Sequence, residues 1–80
     1  MARLYEVLFY NGWLDVPAYF MVDSVEGRTP KEALRSHLPR VIGSVRGQFS
    51  LGLDIDDDYI CESLYVLKSN ALVCASEVAA

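Results

Sequence analysis

The chain has 80 residues, 52% of them hydrophobic, and its 11 acidic residues outweigh seven basic ones for a net charge of -4. A chain this short holds one core and so a single domain over residues 1–80, and its average field works against nucleic acid and anionic membrane surfaces. No run nears the roughly 18 to 20 apolar residues that cross a bilayer, and "MARLYEV" lacks the basic start and long apolar centre of a signal peptide, so a cytoplasmic protein with no membrane attachment is expected.

The first stretch, "RLYEVLFY" at residues 3 to 10, is rich in β-formers and reads as a strand. Tyr5, Val7 and Phe9 fall on one side and Leu4, Glu6, Leu8 and Tyr10 on the other. Both sides are mostly apolar, which marks a strand that is central or covered twice. Asn11-Gly12 supplies the positive φ angles of a two-residue type I′ turn, so a hairpin is predicted there. Pro17 cannot donate to a ladder, so the returning strand is expected to be regular only from about Ala18 to Val25, or to begin on an edge or bulge. Trp13 stands near the tip, where cross-strand packing is the simplest role for it.

"EGRTPKEAL" is a helix start. Thr29 caps, Pro30 takes the first helical position, and Glu32 completes a capping box. Beyond it Leu34, Leu38, Val41, Ile42, Val45 and Phe49 recur at helical spacing and form one stripe that packs on a sheet. Pro39 predicts a kink or two short helices, and Gly47 a stop. The region from 28 to 46 is basic, with Arg28, Lys31, Arg35, Arg40 and Arg46 against Glu32 alone. The remaining chain is acidic, so pairing of this helix with the chain's own acidic loop is the simplest expectation.

That loop is "DIDDD", residues 54 to 58. Asp54, Asp56 and Asp58 fit the first ligand positions of an EF-hand, but its glycine and bidentate glutamate positions fall on Tyr59 and Tyr65, and the match fails. A solvated turn before a strand is the preferred reading, with a weak cation site on those three aspartates as the alternative and no cofactor expected. "YICESLYVLK" from Tyr59 to Lys68 reads as a third strand, Ser69-Asn70 as a turn, "ALVCA" as a short fourth strand and "SEVAA" as a frayed end. Cys61 and Cys74 lack CxxC spacing and read as free, buried thiols.

The expected architecture is α+β in two layers, ordered ββαβ with an optional fourth strand, a small antiparallel sheet under one kinked amphipathic helix. Its core is expected to hold Val7, Phe9, Phe20, Val22, Leu34, Leu38, Ile42, Val45, Leu64 and Val66. Chemistry finds little support: His37 is the only histidine, neither cysteine has a local partner for it, and no glycine-rich phosphate loop, HExxH or GxSxG occurs, so no enzyme is predicted.

Size then points to function. Only about 60 to 65% of the surface of so short a chain is buried on folding, yet mean hydropathy is +0.20. The surplus of apolar side chains predicts a partner, first of all a second copy, so the leading expectation is a non-enzymatic interaction module working as a homo-oligomer, most simply a dimer, with another protein as a further partner. The candidate contacts are the aromatic residues of the hairpin (Tyr5, Trp13, Tyr19) or of the third strand (Tyr59, Tyr65). A ligand pocket near Arg28, Arg35 and Trp13 is the alternative. A nucleic-acid-associated regulator comes third, since net charge and the lack of paired stacking aromatics argue against it.

Overall fold

The computed structural model describes residues 2–12 and 16–79. The fold is α+β: β1 (Arg3–Asn11), β2 (Ala18–Gly27), α1 (Pro30–Phe49), α2 (Asp57–Glu62), β3 (Leu64–Lys68), β4 (Ala71–Cys74) and α3 (Ala75–Ala79). The strands make one antiparallel sheet in the order β2-β1-β3-β4. The helices lie on one of its faces, around a core of Val7, Phe9, Val22, Val25, Ala33, Leu34, Val41, Val45, Ile60, Leu64, Val66 and Ala75.

β1 is central, as its two apolar sides require. The connection to β2 departs from the predicted tight turn, because Asn11 pairs with Ala18 and Tyr10 with Tyr19. A two-residue turn on Asn11-Gly12 would place Pro17 inside the ladder opposite Glu6, where its missing N–H breaks the pairing. The longer connection keeps Pro17 out of the sheet. Trp13 lies in it, outside the described residues. A bulge follows between Val7 and Leu8, which pair with Asp23 and Met21. The extra residue, Val22, is buried.

α1 begins as its sequence requires: Thr29 is extended and its hydroxyl accepts from the Glu32 N–H at 3.1 Å. The helix then runs unbroken through Pro39 rather than splitting in two. Pro39 is exposed, so water reaches the carbonyl that proline leaves without a donor. Nor does the helix stop at Gly47. It continues to Phe49, whose ring meets Phe9 at 5.0 Å and Phe20 at 5.4 Å, and Ser50 ends it in a left-handed conformation with φ 52°. An aromatic contact across the core carries the last turn past a residue of low helix propensity.

The largest correction concerns residues 57 to 62, which form a helix and not the start of β3. Asp56 caps it, its carboxylate accepting from the Tyr59 N–H at 2.8 Å, and Asp57 and Asp58 sit in its first turn near the positive end of the peptide dipoles. The turn swings Ile60 into full burial. Ser69 and Asn70, with φ 51° and 66°, form the two-residue turn between paired Lys68 and Ala71. The "SEVAA" end is the helix α3, with Ala75 buried and Val78 packed on the core. Phe20 is 37% exposed at the sheet edge, so it borders the core that it was expected to fill.

Candidate functional site

With all helices on one face, the other side of the sheet has no covering layer among the described residues. Alternation decides what it shows. β1 presents Leu4, Glu6, Leu8 and Tyr10; β2 presents Tyr19, Met21, Ser24 and Glu26; β3 presents Tyr65 and Leu67; β4 presents Leu72 and Cys74. Leu4 is 69% exposed and Met21 59%. Tyr10, Tyr19 and Leu72 are also exposed, and Leu8, Tyr65 and Leu67 are half-buried by one another. The middle of the face is apolar. The end holding the first residues of β1 and the last of β2 carries Glu6 and Glu26, and the opposite end carries three tyrosines.

Those tyrosines form a chain of rings, with Tyr10 and Tyr19 at 5.0 Å and Tyr19 and Tyr65 edge-on at 5.2 Å. Desolvation, and then the neighbouring Tyr19, push the Tyr65 hydroxyl above its ordinary range.

The structure regroups the expected contact residues. Tyr19 and Tyr65 meet on the open face, but Tyr5 points to the opposite side and packs against the core. Tyr59 is exposed in α2, off the sheet. The separate hairpin and third-strand surfaces thus meet in one surface through Tyr19 and Tyr65, with Tyr5 and Tyr59 off it and Trp13 outside the described residues. Tyr10, Leu8 and Met21 join it. The alternation of β1 contained this signal, but only the strand order shows that nothing covers the second side.

The basic region is partly spent. The Arg40 guanidinium donates to both Asp23 carboxylate oxygens, at 3.0 and 3.4 Å, and to the Ser24 carbonyl at 2.9 Å. Arg46 donates to Asp57 at 2.8 Å and to the Gly52 carbonyl at 3.1 Å, tying the end of α1 to the acidic segment. Arg28 and Arg35 are exposed, and neither lines the groove beside the start of α1. That groove, about 480 Å³, runs between the start of α1, the β3–β4 hairpin and α3, lined by Thr29, Pro30, Lys31, Lys68, Val73, Glu77 and Val78.

Two of the aspartates have a place in the fold. Asp56 is a cap, Asp57 pairs with Arg46, and among the described residues no three His, Cys, Asp or Glu side chains come together as a metal site. Cys61 and Cys74 are free and half-buried rather than fully buried. Burial first, and then the charges of Asp57 and Asp58, push the Cys61 thiol up, which makes it a poor nucleophile at neutral pH. Among the described residues, no helix is long and apolar enough to cross a membrane.

Compared with family models, curated proteins and solved structures, the chain matches none. The functional reading therefore rests on the geometry of the site.

Proposed function

We propose that this protein is a small, non-enzymatic interaction module of the cytoplasm that works as a homo-oligomer, most simply a dimer, through the open face of its sheet. One observation carries the reading: Leu4, Leu8, Tyr10, Tyr19, Met21, Tyr65, Leu67 and Leu72 share a face with no covering layer among the described residues. No element among the described residues lies on that side, so association is the route by which these side chains leave water.

The edges support the face as the adhesive surface. Gln48 donates to the Val22 carbonyl at 3.1 Å and Arg40 to the Ser24 carbonyl at 2.9 Å. Side chains of α1 thus occupy acceptors of edge strand β2 that an added strand would need, and the bulge interrupts its register. β4, the other edge, has only four residues. Free thiols accord with a reducing compartment.

Sedimentation equilibrium over a wide concentration range tests the proposal. The expected result is a mass of two or more chains at micromolar concentration, and Met21→Glu is expected to weaken association at least about 30-fold, as for a residue central to an interface. Met21 is already more than half exposed, so the substitution leaves the fold intact. A strict monomer at high concentration would overturn the reading.

A further inference from the structure

We infer that the partner on the open face is a second copy related by a two-fold axis running across the strands, so that the tyrosine end of each sheet lies over the glutamate end of the other. The inference rests on the proposed use of this face and adds the arrangement of the pair.

The face is polarised along the strands. Tyr10 and Tyr19 are a cross-strand pair at one end, while Glu6 with Ser24 and Leu4 with Glu26 are cross-strand pairs toward the other. The β3–β4 half adds Tyr65, Leu67, Leu72 and Cys74 and no charge. Two sheets packed face to face keep their strands within about 30° of alignment, which leaves two simple two-fold arrangements.

An axis along the strands exchanges the β2 and β4 sides and keeps each end with itself. Glu6 would then lie over Leu67 of the other copy, a carboxylate desolvated against leucine, while Glu26, one row beyond Leu72, would lie over the Ser69-Asn70 turn and away from every tyrosine. An axis across the strands keeps β2 over β2 and exchanges the ends. Tyr19 then faces Glu26, and Tyr10 faces Leu4 with Glu6 beside it. The Glu26 carboxylate meets a phenol that donates, a charge-assisted hydrogen bond that is shorter and stronger than a neutral one, and the Tyr10 phenol stands one row along from Glu6. Tyr65 faces Leu67, Leu8 faces the aliphatic stem of Glu6, and no carboxylate faces another. Complementarity selects this second arrangement.

The area approaches that of a small stable interface. Strands about 4.8 Å apart, nine and ten residues in the longer two and five and four in the shorter, present roughly 450 Å² of flat footprint per copy at about 3.3 Å per residue. Two copies bury roughly 900 Å² before side-chain relief is added, which carries the total toward the ~1,200 Å² where stable interfaces begin.

The experiment is a double-mutant cycle on the dissociation constant of the full chain, measured by sedimentation with wild type, Tyr19→Phe, Glu26→Gln and the double variant. Each single change is expected to weaken the pair about 5- to 10-fold, and the double change no more than the worse single one, because Tyr19→Phe removes the donor and Glu26→Gln the charge assistance of one and the same hydrogen bond. Both positions are exposed, and circular dichroism with Leu53→Gln as a control outside the face checks that folding is unchanged. A dimer whose two changes multiply independently overturns the arrangement and leaves the proposed function standing. A dimer insensitive to both does the same. A wild-type chain that never associates overturns both.

Discussion

Asp56→Ala measures whether the acidic segment is structural. The carboxylate of Asp56 accepts from the Tyr59 N–H at 2.8 Å, and loss of such a cap to alanine costs about 1 kcal/mol within a range of about 0.5 to 2. α2 has six residues, too few to be helical alone. It persists because Ile60 is anchored in the core and Asp57 pairs with Arg46, so the cap contributes its full share only in the folded protein. In a domain of this size ~1 kcal/mol lowers the melting temperature by about 4 to 8 °C. Asp56→Asn is expected to keep most of that, since asparagine caps nearly as well. Asp54→Ala, whose residue makes no cap, is expected to stay within about 0.5 kcal/mol of wild type. Asp57→Ala loses a largely solvated pair worth about 0.5 kcal/mol. Differential scanning calorimetry at one protein concentration is the assay, because association would otherwise move the midpoint. Equal losses for Asp54→Ala and Asp56→Ala, or an asparagine variant as damaged as the alanine one, would refute the reasoning and restore the segment as a plain solvated loop.

Gly27→Ala is expected to destabilise the fold by about 2 kcal/mol or more, because the new Cβ would lie 2.6 to 2.8 Å from the backbone N, the Cα and the Cβ of Ala33, and urea denaturation reads the loss. Leu34→Ala, at a fully buried position, is expected to cost about 3 kcal/mol by the same measurement. Ser69→Gly relieves a left-handed residue with φ 51° and is expected to stabilise the protein by about 0.5 to 1 kcal/mol; an unchanged midpoint would deny strain at the turn. Because the folded Cys61 thiol sits above its ordinary range, its contribution to stability is complete below that range and is lost as pH rises through the folded value. Alkylation by iodoacetamide at neutral pH is accordingly expected to be slower at Cys61 than for an exposed thiol, and faster once Asp57→Asn and Asp58→Asn are combined.

Features specified by neighbours a few residues apart were legible in the sequence. Thr29, Pro30 and Glu32 start a helix wherever they occur, the Leu34 to Phe49 stripe gives that helix one inward face, and Ser69-Asn70 turns the last hairpin. The surplus of apolar residues was legible from composition alone. These signals are local, each worth about 1 kcal/mol, and they agree with the final fold.

Where local signals competed, tertiary contacts decided. Asn11-Gly12 favours a tight turn, but keeping Pro17 out of the ladder and pairing Tyr10 with Tyr19 outweighs it. Tyr59 to Glu62 has strand composition, yet the Asp56 cap and the burial of Ile60 beside α1 and α3 favour a helical turn by more than β-propensity opposes it. Phe49 holds α1 past Gly47 because two phenylalanine rings await it. Alternation along β1 showed two apolar sides, but which one stays open depends on helices distant in sequence all docking on the same face. Sequence determined how much apolar surface this protein has; the tertiary structure decided where it lies, because burial is a property of elements brought together from across the chain.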